Sequence, residues 1–373
     1  VVGVLGARQA GKTTLLKQFG AETRTFDDPR LGELFAKGGV NLLEAARKPL
    51  FLDEVQKYPP VFDLIKLMVD QNRKPGQFLI TGSVRFSSKA DIRESLTGRI
   101  IVWELLPLTL REAHSKGPST LMESLAKAGL QAVAESLESR AWSKRRDWEH
   151  YSRQGGMPGV CFSRDKVIWE NSLRSLVDTV ITRDFYFLRN SKIRAGTIHE
   201  VLQEVAFLSG ESISVSVLAR RFRVSVPTMK AILTTFEDLF LIRSHGRKFY
   251  FEDLGIAHLL RTEGARKSQE RTIEELVYSE LKAVRAYHSE EKVSLSSYST
   301  RGGAEVPFVI SSRSSGIWAV AVDEEDFLSE KSLKGLYSFQ KAHPEAKLLH
   351  LRRGDHFTLH KDRVLSVPVG WIL

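Results

Sequence analysis

GARQAGKT, residues 6–13, decides how this chain is read. It fills every fixed position of G-x-x-x-x-G-K-[ST], with Gly6, Gly11, Lys12 and Thr13 as the anchors. Eight residues of pattern occur by chance, so the flanks carry the argument. Val1–Leu5 is a short apolar run that reads as a buried strand, and Thr14-Leu15-Leu16-Lys17-Gln18-Phe19 continues as a helix with Leu15, Leu16 and Phe19 on one side. Strand, glycine loop, helix is the setting in which backbone N–H groups turn inward around phosphate oxygens and the positive end of the helix assists them. The cradle would comprise Gly6, Ala7, Arg8, Gln9, Ala10, Gly11, Lys12, Thr13 and Thr14. Lys12 would reach the β- and γ-phosphates of ATP, and the Thr13 hydroxyl would ligate Mg²⁺. The fold class expected is α/β, a P-loop parallel sheet.

Pro49-Leu50-Phe51-Leu52-Asp53-Glu54 is the second signal. A buried strand that delivers carboxylates to its C-terminal tip is what a magnesium site beside a phosphate loop needs. Asp53 is the candidate metal ligand and Glu54 the candidate general base. Gln77–Ser83 is a third strand, apolar and then polar, which lies beside the Asp53 strand in this reading. It puts Thr81 or Ser83 near the γ-phosphate to orient water, or it is a plain strand-end turn.

At 373 residues the chain is long enough for two or three domains, and its 42% hydrophobic and 27% charged composition is ordinary for a globular protein. No apolar run approaches the roughly 18 residues of a membrane helix. The single cysteine, Cys161, excludes an intrachain disulfide and a cysteine-based metal cluster and fits a reducing cytoplasm. The chain opens on Val1 without an initiator Met, so preceding residues are expected and targeting stays open. A formal net charge of +10 favours acidic partners, nucleic acid first, or is simply a solvated basic surface.

Residues 106 to about 150 read as a helical lid. Within it Trp142-Ser143-Lys144-Arg145-Arg146-Asp147-Trp148 mixes cations with aromatics, which suits stacking on nucleic acid or an exposed amphipathic helix end. Gly155-Gly156-Met157-Pro158-Gly159 reads as a loop or hinge, and Lys166–Asn190 as a helix. Residues 196–262 read as helix, helix, turn, helix and hairpin, the order of a winged helix. Arg220, Arg221, Lys230, Arg247 and Lys248 are its candidate phosphate contacts, and the alternative use of such a unit is docking protein.

Taken together, GARQAGKTTLL (6–16), PLFLDEVQKYPP (49–60), FLITGS (78–83), SLTGRI (95–100), LLPLTLREA (105–113) and GGMPGV (155–160) make the chain resemble the AAA-type P-loop ATPases of bacteria and archaea that carry a carboxy-terminal domain of unknown function. The resemblance implies ATP hydrolysis with Mg²⁺ and an ASCE-type sheet, with an extra strand between the phosphate-loop strand and the Asp53 strand. It also implies a candidate arginine finger at Arg99, which acts in the same chain or between subunits of a homo-oligomer. The competing reading of Arg99 is a surface arginine opening the strand Ile100-Ile101-Val102. Arg8 contacts phosphate or a neighbouring subunit.

The tail after residue 270 resembles the restriction-endonuclease-like fold of many family members, but its chemistry is depleted. Pro307 stands where the resemblance expects the metal-binding aspartate, and Val320 and Val322 stand for the glutamate and lysine. Glu305 stands alone, and Asp323, Glu324, Glu325 and Asp326 lie past the strand. An inactive, packing or binding domain is expected. The boundaries expected are 1–115 for the ATPase core, 116–195 for a helical lid and linker, 196–262 for the winged helix and 263–373 for the nuclease-like tail. The function expected is an ATP-driven switch, with nucleic acid as the leading partner. The alternative is a nucleotide-sensing adaptor that docks an unknown protein with little turnover.

Overall fold

The computed structural model describes residues 1–20, 22–85, 97–263 and 272–373. Five short strands, β1 (Val2–Leu5), β2 (Glu22–Thr25), β3 (Leu50–Asp53), β4 (Phe78–Gly82) and β5 (Ile101–Glu104), make a parallel sheet in the order β2-β3-β4-β1-β5. Strands buried on both faces must be apolar throughout, and β3, Leu-Phe-Leu-Asp, is buried at every position. β4 lies between β1 and β3, where the extra strand was expected. Leu5 therefore pairs with Gly82, and the loop after β1 opens beside the C-terminal tips of β3 and β4. Open parallel sheets place their sites at that edge.

The helices Leu110–Ala113, Leu121–Leu125, Leu130–Arg140 and Arg145–Gln154 occupy the expected lid. They do not close over the phosphate loop. Their apolar faces (Leu125, Val133, Leu137, Trp148) share a core with Leu349 and Val367 of the C-terminal sheet and with Ile372 beyond its last strand. In the Trp142–Trp148 run Trp148 is buried under Arg353, whereas Lys144, Arg145 and Arg146 stay exposed, with Arg145 paired to Glu149 on the surface.

What leans on the parallel sheet is the helix Lys166–Thr179, capped by the Asp165 carboxylate, which accepts from Val167 N and Ile168 N. It runs into a single π-helical turn, Val180–Asp184, and ends as Phe185–Leu188. The continuous helix expected to Asn190 is thus interrupted and ends early. Leu173, Leu176, Val180, Ile181 and Phe185 lie in the same core as Leu5, Ala10, Phe26 and Leu52.

The helices Ala195–Phe207, Val215–Arg221 and Val226–Asp238 follow, then the antiparallel hairpin β6 (Ile242–His245) and β7 (Lys248–Phe251). Ser225 caps the third helix by accepting from Thr228 N, with Pro227 in its first turn. Arg220, Arg221, Lys230 and Arg247 are exposed, as a phosphate-contacting set requires. Lys248 is not. It is buried between Glu274 and Glu305, at 2.8 Å and 2.7 Å, because the hairpin packs into the C-terminal unit instead of projecting into solvent.

The helix Leu254–Glu263 packs back on the helices Arg145–Gln154, Lys166–Thr179 and Ala195–Phe207, and the C-terminal unit holds the helix Thr272–Tyr287 and the strands β8 (Ser294–Ser299), β9 (Glu305–Ser312), β10 (Gly316–Val322), β11 (Lys347–Arg352), β12 (Thr358–His360) and β13 (Val364–Pro368). The mixed sheet runs β12-β13-β11-β10-β9-β8, with the helix Glu330–Ala342 carrying the chain from β10 to its parallel neighbour β11.

Glu280, on the helix Thr272–Tyr287, is fully inside this unit, where Oε1 accepts from Leu110 N at 3.1 Å. Burial pushes its carboxyl up to about 7; the Leu110 bond opposes this and Glu112 adds to it. A carboxyl raised in the fold leaves stability whole below its unfolded pKa and erodes it as pH rises through the folded value. Glu280→Gln therefore removes part of the stability loss between about pH 4.5 and 7, each pK unit being worth about 1.4 kcal/mol. Thermal melts should match the wild type at the acid end and exceed it at the alkaline end; parallel curves across that range would contradict the assignment.

Candidate functional site

The loop is shaped by its glycines. A Cβ on Gly6 would stand 2.2 Å from the Leu105 carbonyl oxygen, so β1 must leave the sheet on a residue without a side chain. Gly11 sits in the left-handed region at φ 93° and heads the helix Lys12–Lys17 with no side-chain cap, which leaves the first backbone N–H groups open to an anion. Gln9 is also left-handed, at φ 64°, an uncommon conformation for a non-glycine residue and one that marks a constrained loop.

Lys12 is almost wholly buried, with Nζ donating to Gly6 O at 3.0 Å and Ala7 O at 2.8 Å. Burial lowers its pKa; Glu54 and Asp53 pull the other way, and the Arg8 charge lowers it further. The Thr13 hydroxyl lies 3.1 Å and 3.0 Å from the two Asp53 oxygens, and Thr81 Oγ1 donates to the same carboxylate while accepting from Glu54 N at 3.2 Å. Glu54 is in the left-handed region at φ 54°, a turn that carries its carboxylate off the end of β3. Ser83 Oγ donates to Glu54 Oε2 at 3.1 Å, and Gln56 Nε2 bridges Glu54 Oε2 and Ser83 Oγ. Of the hydroxyls left open by the sequence, Thr81 steadies Asp53 and Ser83 steadies Glu54. The structure therefore gathers Lys12, Thr13, Asp53, Glu54 and Ser83 at one edge of the sheet.

Arg99 is not with them. It lies before β5, where its carbonyl accepts from the Val1 amino group at 3.1 Å and its guanidinium pairs with Asp70 at 2.7 Å. β1 separates that end of the sheet from the loop by about 13 Å of strand. Within its own chain Arg99 is no part of this site. Arg8 turns outward from the cradle to Asp184, at 3.0 Å.

Three contributors have no role at the site when the sequence alone is read. Gln56 sits two residues past the acidic pair and is buried, with its Oε1 lacking a partner. Asp184 lies in the π turn. The Gly155–Gly159 segment packs on the cradle, with Pro158 Cγ 3.6 Å from where a Gly11 Cβ would stand, and is tied down by Gly156 N donating to Asp253 Oδ2 at 2.8 Å.

A second group lies in the C-terminal unit, where Glu274, Glu305, Asp323 and Glu324 line a cavity of about 170 Å³ around Lys248. Glu305 does not stand alone, yet its neighbour is an ammonium. Asp323 is committed elsewhere, accepting from Ser329 Oγ at 2.8 Å and Ser332 Oγ at 3.0 Å and bonded to His350. Among the described residues no group of three His, Cys, Asp or Glu is arranged to hold a metal ion.

Residues 1–114 match the family described as an AAA domain. Residues 145–267 and 269–371 match two domains of unknown function, DUF8612 and DUF4143. Uncharacterized proteins of Mycobacterium bovis and Mycobacterium tuberculosis are each 28% identical over 285 residues, 70% of this chain and 56% of the relative. The chain thus spans about half the length of the curated relatives it matches. The Walker-type ATPase of Pyrococcus abyssi aligns over 70% of this chain and 90% of its own, at 13% identity and a TM-score of 0.36. Among the described residues, no helix is long and apolar enough to cross a membrane.

The AAA domain depends on the exit of β1 at Gly6. Gly6→Ala forces a methyl into the Leu105 carbonyl and should cost about 2 kcal/mol or more. Gly196→Ala, with nothing within 4 Å of the added methyl and a helical position, should be neutral or slightly stabilising. Denaturant melts of the two variants decide it; equal midpoints would show that the loop can relax around a side chain.

Proposed function

We propose that the chain binds ATP in the cradle of residues 6–14 and hydrolyses it with Mg²⁺, and that the cycle moves the three-helix unit and the C-terminal unit. The observation that carries the reading is the contact of Thr13 Oγ1 with both Asp53 oxygens beside a buried Lys12. A hydroxyl and a carboxylate so placed fit Mg²⁺, which keeps most of its waters and takes few protein ligands. Thr13 and Asp53 would hold the ion, which when bound neutralises phosphate charge. Lys12 would exchange its two loop carbonyls for phosphate oxygens. Glu54, held by Ser83 and Gln56, would take the proton of the attacking water, and the unpartnered Gln56 Oε1 is an acceptor that can help orient it.

In this reading the Val226–Asp238 helix is the recognition helix of a winged helix, and Arg220, Arg221, Lys230 and Arg247 face duplex phosphates. The C-terminal unit is a nuclease-like fold without nuclease chemistry. A second reading, a nucleotide-sensing adaptor for a protein partner, draws support from the hairpin, whose Lys248 is spent on internal glutamates rather than on a groove.

Turnover with Mg·ATP separates the two. Glu54→Gln should lower it by about 10²-fold or more with ATP still bound, and Lys12→Ala should lose both binding and turnover. Stimulation of the wild type by duplex DNA supports the nucleic-acid switch. Tight ATP binding without turnover, with or without DNA, makes the adaptor the better account. A Glu54→Gln variant as fast as the wild type removes the assigned base.

A further inference from the structure

Arg8 lies inside the phosphate loop but spends its charge outside it. Its Nη1 donates to Asp184 Oδ2 at 3.0 Å, with the two side chains only 23% and 15% exposed. Asp184 ends the π-helical turn Val180–Asp184, and its other oxygen accepts from Arg183 Nε at 2.9 Å. Arg8 is also close enough to Lys12 to depress its ammonium, after burial has done so. Two cations converging in one loop suit a polyanion better than a single carboxylate.

We propose that Asp184 competes with the terminal phosphate of a bound nucleoside triphosphate for the Arg8 guanidinium, so that the triphosphate, and not the diphosphate, unties the loop from the segment 166–188. The proposal rests on the nucleotide reading above. A γ-phosphate offers more charge than a carboxylate and three acceptor oxygens for the planar guanidinium fork. The exchange does not strand Asp184, because Arg183 remains on Oδ1. A diphosphate lacks the competing group and leaves the tie in place, which is the differential affinity a ligand needs to shift a conformational equilibrium.

What is released is suited to move. A π turn has one residue too many for the α-helical ladder and can be resolved by local rewinding. Directly beyond it, Phe185 packs on Phe236 with ring centroids 5.9 Å apart, and Arg189 Nε donates to Thr235 Oγ1 at 2.8 Å. Phe236 and Thr235 belong to the helix Val226–Asp238. A continuous chain of contacts thus runs from the phosphate loop through Asp184 to the third helix of the three-helix unit.

The test is calorimetric titration of the full chain with Mg·ATPγS and Mg·ADP. Asp184→Asn should tighten the triphosphate about five- to tenfold while ADP changes by less than about twofold. Arg8→Ala should erase the preference, and the double variant should behave as Arg8→Ala. Asp184→Glu, which keeps the charge, should stay with the wild type. Amide exchange over residues 180–188 should rise with the triphosphate in the wild type and be raised already in Asp184→Asn. If Asp184→Asn moves both nucleotides equally, or neither, while Lys12→Ala still abolishes binding, the competition is wrong and the nucleotide reading stands. If the wild type binds neither nucleotide, or Lys12→Ala binds like the wild type, both fall together.

Discussion

A single buried carboxylate, Glu252, holds the three parts of this chain in one arrangement. It follows β7, is almost wholly buried and meets cations from three directions. Arg243 of β6 pairs with it at 2.7 Å, Lys282 of the C-terminal unit takes its other oxygen, and Arg85, just past β4 of the AAA domain, reaches it at 3.6 Å. Glu104, at the end of β5, accepts from both Arg85 and Arg243. Burial alone would raise the Glu252 carboxyl; Lys282 and Arg243 more than reverse this and hold it at about 2. Buried charges are tolerable only when each has its partner, and removing one partner is far costlier than never having had the pair. The network thus defines one relative placement of the units, and the cations that satisfy Glu252 come from all of them.

That arrangement connects to the site through the same strand that carries the site's hydroxyls. Thr81 and Ser83 steady Asp53 and Glu54, and Arg85 two residues later donates backbone N–H to Asp238 O at 2.9 Å and Nε to Glu237 O at 3.0 Å, at the end of the helix Val226–Asp238. A shift at the tip of β4 is felt by the three-helix unit three residues later, at Arg85. The Arg8–Asp184 tie reaches the other side of that helix through Phe236 and Thr235. The last turn of the helix is therefore held by two elements, one following β4 and one following the π turn.

Much of this was legible from local pattern, and the reason is the range of the forces involved. The cradle, the acidic tip of β3 and the polar tip of β4 are each contiguous, so residue type and spacing report the chemistry directly. The contacts that join units are not. Arg8 and Asp184 are 176 residues apart, and Arg243 and Glu104 are 139 apart; nothing in a charged residue's neighbours says which distant charge it meets. The lid misreading has the same origin. Amphipathic periodicity shows that the helices between 110 and 154 have an apolar face, but not that the covering surface is the C-terminal sheet. Arg99 shows the limit of resemblance: its position in sequence is right for a finger, while the parallel register of β1 and β5 carries it to the far end of the sheet.

The C-terminal unit follows from the same rule of paired charge. Its strand β9 and the helix Thr272–Tyr287 bring Glu305 and Glu274 to one cavity, which in isolation would be two carboxylates repelling at close range. Here the Lys248 ammonium sits between them, and the Tyr250 hydroxyl donates to Glu274 at 2.6 Å. Tyr250 in turn stacks on Tyr278 with centroids 4.1 Å apart, and His245 bonds the Pro307 carbonyl at 3.0 Å. Pro307 has no side-chain oxygen to offer, but its backbone becomes the anchor of the hairpin. The Pro307 carbonyl on β9 and the Lys248 ammonium on β7 thus fix the same hairpin. The cavity is the socket in which the β6–β7 hairpin is held, and the charge of its two glutamates is met by the chain itself.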